Sequence, residues 1–173
     1  MSLGQTMLSA AFIVVLTVAV VNANRVIVES ETETYRGEAI ELGTRFAQAL
    51  LIEASRKKFD HNQIDSVYQD PSAFTTPSSL GPNTGEVVSP LPDQAPFKAA
   101  AVYNDVDDYH GYQRRIDTGR IKGLLLQVEV YYVSKSYPNS KSSSKTYLKR
   151  IDVSLSHAVH IQKPMKFSAI VTY

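Results

Sequence analysis

The residues best suited to chemistry form a short acidic cluster, Asp105, Asp107 and Asp108, within the stretch NDVDDYHGY. Carboxylate oxygens are the ligands that Ca²⁺ prefers. An EF-hand loop beginning at Asp105 would require glycine at position 110 and glutamate at position 116, but the chain has His110 and Ile116 there. We therefore expect a solvated turn near the sheet edge, in which these carboxylates cap backbone groups, with calcium binding as the alternative.

Other catalytic or cofactor chemistry has little support in the sequence. His157 and His160 lie three residues apart in HAVH, but they follow a predicted strand and have no third zinc ligand nearby. The absence of cysteine excludes disulfides and thiolate sites. There is no nucleophile elbow and no glycine-rich phosphate loop. The formal net charge of +1 gives no electrostatic sign of nucleic-acid binding. We expect no enzyme activity, no cofactor and no nucleic-acid partner.

The segment MSLGQTMLSAAFIVVLTVAVVNAN carries no charged side chain before Arg25. Its apolar part is about 20 residues long, which is enough for a helix to cross a hydrocarbon layer of about 30 Å. A cleavable secretory signal is the common explanation for such a start, but no Lys or Arg precedes the apolar run and no clear cleavage site ends it. We therefore expect a retained helix that lies in a membrane or packs against copies of itself.

A helical pattern continues beyond this segment. Val28, Tyr35, Leu42 and Ala49 recur every seven residues. Ala39 and Phe46 fill the intermediate positions, and Leu50 widens the apolar stripe. We expect a helix from about residue 3 to about residue 58, with this stripe facing outward or packed on a sheet.

The chain divides into four predicted regions. Residues 1–24 form the apolar half of the helix and residues 25–60 its amphipathic half. Residues 61–98 form a connecting loop rich in Pro, Ser and Thr, and residues 99–173 form a sheet domain. Gly43 is expected to be a weak point of the helix, where it can bend, at a cost of roughly 1 kcal/mol relative to Ala.

Alternation of apolar and polar side chains predicts strands near residues 124–134, 147–156 and 166–173. The polar turns between them favour an antiparallel meander. The fold class is therefore α+β: a long N-terminal α-helix, apolar in its first half and amphipathic in its second, packed on a C-terminal antiparallel β-sheet.

This order of elements resembles that of type IV pilins and pseudopilins. NDVDDYHGY at residues 104–112 is similar to a segment of minor pilins of the mannose-sensitive haemagglutinin group, and YLKRIDVSLSH with KFSAIVTY is similar to their paired final strands. The chain departs from the family at the N-terminus, where no basic leader is present. If Met1 is the mature start, Gln5 stands where the family has a glutamate; if Gly4 ends a leader, Ser9 stands there.

The resemblance implies a structural subunit of an extracellular, cell-surface filament, with an inner-membrane-inserted precursor. The alternative is an inner-membrane-anchored pseudopilin or minor pilin of a secretion or adhesion system. The implied partners are further copies of the chain, the membrane before assembly and the pilus assembly machinery. The implied assembly residues are those of the apolar helix: Gln5, Met7, Leu8, Phe12, Ile13, Val14, Val15, Leu16, Val18, Val20 and Val21.

Overall fold

The structure is a computed structural model that describes residues 3–63 and 69–173. The chain forms two compact units, Met1–Glu38 and Ala39–Tyr173. Helix α1 (Leu3–Ser55) accounts for the described part of the first unit and for the start of the second. The predicted long helix is therefore confirmed, and it ends three residues before the predicted position 58.

The second unit is built around a four-stranded antiparallel sheet with the strand order β1-β2-β3-β4. The three predicted strands are confirmed, as is their antiparallel arrangement. The sheet has one further strand, which the sequence analysis missed. The strands are β1 (Gln113–Thr118), β2 (Ile121–Tyr132), β3 (Leu148–His157) and β4 (Ile161–Thr172).

The segment between α1 and β1 contains little regular structure. It has short 3₁₀ helices at Pro71–Ala73, Pro77–Ser79 and Asp107–Tyr109, and one short helix, α2 (Ala99–Val102). The predicted connecting loop thus corresponds mainly to turns and irregular chain, apart from residues 64–68, which lie outside the described residues.

The core lies between the second part of α1 and one face of the sheet. The sheet contributes alternate residues of β2 and β3, as their sequence alternation predicts: Leu124, Leu126, Val128, Val130, Tyr132, Ile151, Val153 and Leu155. The helix contributes a narrow buried stripe made mostly of small residues: Ala39, Gly43, Ala47, Leu50 and Ala54. Large side chains of the sheet fill the space that these small residues leave.

The predicted packing face of α1 is therefore only partly right. Of the predicted stripe, Ala39 and Leu50 are buried on the sheet side and Val28 and Ala49 face outward, whereas Tyr35, Leu42 and Phe46 are half-buried. The prediction did not include the other small buried residues, Gly43, Ala47 and Ala54.

Gly43 lies in close contact with the sheet, which the sequence analysis did not anticipate. A Cβ atom placed at Gly43 would lie 2.5 Å from Cδ2 and 2.7 Å from Cδ1 of Leu155, whose side chain is fully buried. We expect Gly43→Leu to lower the free energy of unfolding by about 1–3 kcal/mol through overpacking. Denaturant titration of the full chain in detergent, followed by near-UV circular dichroism, measures this loss.

Gly37→Leu is the matched control. A Cβ at Gly37 would meet no heavy atom within 4 Å. The same substitution there is expected to leave stability unchanged or to raise it by up to about 1 kcal/mol, because leucine favours the helix more than glycine does. Equal losses for the two variants would contradict the close-approach explanation.

The two edges of the sheet differ. At the β1 edge, Asp93 N donates to Gln113 O at 2.8 Å and Arg115 N donates to Asp93 O at 2.9 Å, so a neighbouring segment covers that edge. Among the described residues, β4 pairs only with β3, and its first half contains Lys163, Pro164 and Lys166.

Candidate functional site

The predicted assembly residues form a continuous apolar surface around the first part of α1. All residues from 3 to 34 are exposed, and Val15 is 67% exposed. The large apolar side chains occupy consecutive as well as periodic positions, so they surround the helix and do not form a single face. They are Leu3, Met7, Leu8, Phe12, Ile13, Val14, Val15, Leu16, Val18, Val20 and Val21. Gln5, the remaining predicted assembly residue, also lies in this part of the helix.

Exposure of this apolar surface to water is energetically unfavourable. Transfer of each of its large side chains out of water is favourable by about 1.5–3 kcal/mol. The helix is long and apolar enough to cross a membrane, by length and composition. Such a segment is stable in lipid or against other apolar segments, and unfavourable in water.

Both threonine hydroxyls of the same segment donate hydrogen bonds within the helix. The hydroxyl of Thr6 donates to Leu3 O, and the hydroxyl of Thr17 donates to Ile13 O, both at 2.8 Å. A hydroxyl that is already paired can enter an apolar environment at low cost. This pairing makes the helix compatible with a surrounding that lacks water.

The acidic cluster is buried, and the expectation of a solvated turn is wrong. Asp105, Asp107 and Asp108 are 0%, 1% and 0% exposed. Two of them cap backbone groups, as expected: Asp105 Oδ1 accepts from Asp107 N at 2.7 Å, and Asp108 Oδ2 accepts from Asn104 N at 2.8 Å. The segment lies beside β2 and directly precedes β1, and Gly111 N donates to Val128 O of β2 at 3.0 Å.

The calcium alternative for Asp105, Asp107 and Asp108 has no support from the geometry. Within residues 3–63 and 69–173, no three side chains of the His, Cys, Asp or Glu type are arranged to hold a metal ion. The three carboxylates are directed instead to backbone N–H groups and to a buried lysine.

That lysine is Lys149 on β3, which the sequence analysis missed. Its side chain is fully buried, and Nζ donates to Phe59 O at 2.7 Å and to Asp60 Oδ2 at 2.8 Å. Nζ also lies 2.6 Å from Asp107 Oδ1. The rings of Phe59 and Tyr132 flank it, with centroids 4.4 and 5.0 Å from Nζ.

The two carboxylates beside Lys149 have opposite environments. Asp60 accepts hydrogen bonds from Thr75 N, Asn62 N and the Tyr132 hydroxyl as well as from Lys149. Burial alone would raise the pKa of Asp60, but the hydrogen bond and charge of Lys149, together with the N–H groups of Thr75 and Asn62, hold it below its ordinary value.

Asp107 is the opposite case. Among the described residues neither of its carboxylate oxygens has a hydrogen-bond partner, so the contact with Lys149 is an ion pair without hydrogen-bond geometry. Burial raises the pKa of Asp107 to about 7, against the opposing effect of the lysine charge. The ammonium group of Lys149 therefore contacts two different carboxyl groups: Asp60, which favours the ionised form, and Asp107, which is more readily protonated.

A pH dependence of stability follows from Asp105. Burial, and next the charge of Asp108, raise the pKa of Asp105 from 3.8 to about 6. The folded state therefore binds this proton more tightly than the unfolded state, and the stabilisation is complete below pH 3.8 and is lost as the pH rises through about 6. We expect the free energy of unfolding to fall by about 2–3 kcal/mol over this interval because of Asp105.

Asp105→Asn should reduce this slope, since asparagine keeps an oxygen for the N–H groups of Asp107 and Asp108 but does not titrate. Glu31→Gln, on an exposed helix position, is the control and should keep the wild-type profile. The measurement is denaturant unfolding of the full chain in detergent at a series of pH values. A slope that survives Asp105→Asn unchanged would contradict the assignment.

A second ion pair, between buried Arg114 and partly buried Glu53, connects α1 to β1. Arg114 binds Glu53 through two hydrogen bonds, from Nη1 to Oε2 at 3.0 Å and from Nη2 to Oε1 at 2.8 Å. The Tyr109 hydroxyl donates to the same glutamate at 2.9 Å, and Arg114 Nε donates to the Tyr112 hydroxyl at 2.9 Å. Both tyrosines belong to the stretch NDVDDYHGY. This stretch therefore connects the end of α1, the start of β1 and the buried lysine.

The geometry thus gives one exposed apolar helix surface and two internal polar clusters that hold the second unit together. No protein family model, curated protein sequence or solved structure matches the chain, so its function has to be inferred from these residues and contacts.

Proposed function

We propose that this protein is a structural subunit of an extracellular type IV pilus-like filament that polymerises through its N-terminal apolar helix. The observation that carries this proposal is the apolar surface that surrounds α1 from Leu3 to Val21. In the precursor the inner membrane surrounds this surface, and in the filament further copies of the same helix do so.

The internal polar clusters favour a structural role over an enzymatic one. The groups that the sequence offered for chemistry, Asp105, Asp107 and Asp108, are buried and bind backbone groups or Lys149. The arginine–glutamate pair of Arg114 and Glu53 is likewise taken up in joining α1 to β1. These contacts stabilise a domain that a filament would carry on its outside.

The order of elements adds support for a pilin-like subunit. An exposed apolar helix leads into a unit in which the same helix packs on an antiparallel sheet. The resemblance of NDVDDYHGY and of the last two strands to minor pilins points in the same direction. The proposed partners are therefore copies of the chain and the pilus assembly machinery.

The second candidate function is an inner-membrane-anchored pseudopilin or minor pilin. The length and composition of α1, which suffice to cross a membrane, favour it equally. The two functions differ in what surrounds the helix. In a filament, other copies of the helix replace the lipid, whereas in an anchored subunit the lipid remains.

Fractionation combined with electron microscopy separates these functions. Cells that express the full chain are compared with cells that express a variant lacking residues 1–24, using an antibody against the domain. Filaments that carry the antibody support the filament subunit, and antibody found only in the inner-membrane fraction supports the anchored form. Filaments formed by the truncated variant would contradict both functions.

A further inference from the structure

The buried cluster around Lys149 places an amine in contact with two carboxyl groups. Nζ of Lys149 lies 2.6 Å from Asp107 Oδ1, an oxygen attached to the carbonyl carbon Cγ. On its other side Nζ donates to Asp60 Oδ2 at 2.8 Å. The side chains of Lys149 and Asp60 are fully buried, and that of Asp107 is 2% exposed.

We propose that Lys149 and Asp107 condense into an intramolecular amide, an isopeptide bond between Nζ and Cγ, with Asp60 as the proton acceptor. This would be a self-catalysed covalent modification of the folded protein, and it is independent of the proposed filament function.

The step balances without any further reactant. The ammonium group of Lys149 passes one proton to the carboxylate of Asp60. The uncharged amine attacks Cγ of protonated Asp107, forming the C–N bond. A second nitrogen proton moves to the hydroxyl that leaves Cγ, and one water molecule departs. The products are the amide, water and protonated Asp60, so no oxidant or reductant is involved.

The hydrogen bonds decide which aspartate is the electrophile. Asp60 is held by Thr75, Asn62 and Tyr132, which favour its ionised form. An ionised carboxylate is a poor electrophile, and Asp60 Oδ2 accepts a hydrogen bond from Nζ at 2.8 Å, which places it to receive the proton that Lys149 gives up. Asp107 receives no such hydrogen bond among the described residues, and its burial favours the protonated form, which an amine can attack.

The surroundings favour the condensed product. Phe59 and Tyr132 lie against Nζ and exclude solvent, which slows hydrolysis of an amide once it has formed. Reacting groups held at contact distance behave as if at a very high concentration, which removes the entropic cost of bringing them together. The fold therefore supplies positioning, a proton acceptor and a dry site.

Intact-mass spectrometry of the purified full chain tests the proposal directly. We expect the mass to be lower than that of the sequence by one water molecule. We also expect a tryptic digest to contain one branched peptide joining the segments of Lys149 and Asp107, without cleavage after Lys149. A wild-type mass that equals the sequence mass would overturn the proposal, whether or not any variant folds.

Three variants locate the bond. Lys149→Arg keeps the positive charge but has no amine able to condense, and Asp107→Ala removes the electrophile, so both should show the full sequence mass. Lys141→Arg is the matched control, because Lys141 is an exposed lysine paired with the carboxylate of Glu129, and it should keep the loss of water. Loss of water in Lys149→Arg or Asp107→Ala would place the bond elsewhere and overturn this assignment.

Asp60→Asn tests the proton acceptor. Asparagine can still accept from the Thr75 and Asn62 N–H groups but is a much weaker base. We expect the condensed fraction to be strongly reduced at early times after synthesis. An unchanged rate would overturn the role of Asp60.

Discussion

Val15→Asp is expected to abolish filaments and to reduce membrane insertion. Val15 lies in the middle of the apolar surface and is 67% exposed on the isolated chain. In a helix bundle without water its carboxylate would have no partner, which costs several kcal/mol per subunit. At the centre of a bilayer a charged side chain costs at least about 2.5–3.5 kcal/mol. Because every subunit of a filament would carry this cost, assembly should fail. Electron microscopy of the cell surface and fractionation of the cells measure the result.

Val87→Asp is the matched control for this experiment. Val87 is an apolar residue of the second unit and is 64% exposed, nearly as much as Val15. The same substitution there should leave filaments and membrane insertion intact. Normal filaments from the Val15→Asp variant would refute the proposal that this helix builds the filament core.

Lys149→Met is expected to lower the free energy of unfolding by about 3–5 kcal/mol. Methionine preserves the length of the side chain, but it leaves Asp60 and Asp107 buried without the nitrogen that contacts both of them, whether as an ammonium group or as the proposed amide. It also removes the hydrogen bond to Phe59 O, which holds the chain just after α1. Denaturant unfolding of the full chain in detergent, followed by near-UV circular dichroism, provides the measurement.

Lys141→Met provides the comparison. Lys141 pairs with Glu129 on the surface, where ion pairs contribute about 0–1 kcal/mol. We expect at most that loss. Similar losses for the two variants would show that the buried cluster around Lys149 stabilises the protein no more than a surface ion pair does.

Much of the fold could be predicted because its signals are local. The period-two alternation in β2, β3 and β4 is long and regular, and the uncharged run in α1 is unambiguous. Strand β1, QRRIDT, could not be found this way because Ile116 is its only apolar residue. It is held by pairing with β2, which is a tertiary contact and leaves no mark in its own sequence.

The packing face of α1 was harder to predict for a different reason. Hydrophobic periodicity gives glycine no weight, so the predicted stripe included Ala39, Leu42 and Phe46 but not Gly43. The face that packs closest to the sheet is lined by Ala39, Gly43 and Ala47, whose small size permits the approach. A glycine in a helix interior can mean either a less stable helix or close packing against another element. The sequence does not show that Leu155 lies opposite Gly43, and this contact is what identifies close packing.

The sequence showed where the acidic cluster lies in the chain but not that its side chains are buried. A run of aspartates is normally solvated, and nothing near Asp107 in the sequence indicates a buried cation. Lys149 did carry a signal: in β3 it alternates in phase with the buried Ile151 and Val153, which places a charge on an apolar face. A buried lysine requires carboxylates, so the two features could have been matched to each other.

The outer edge of β4, which has no neighbouring strand among the described residues, also limits how the molecules can associate. A long edge strand would normally invite another chain to extend the sheet, which leads to amyloid-like aggregation. Pro164 offers no N–H group to an incoming strand, and Lys163 and Lys166 would bring like charges together in a symmetric pair of edges. These three residues therefore disfavour edge-to-edge pairing even where many copies of the domain are held close together.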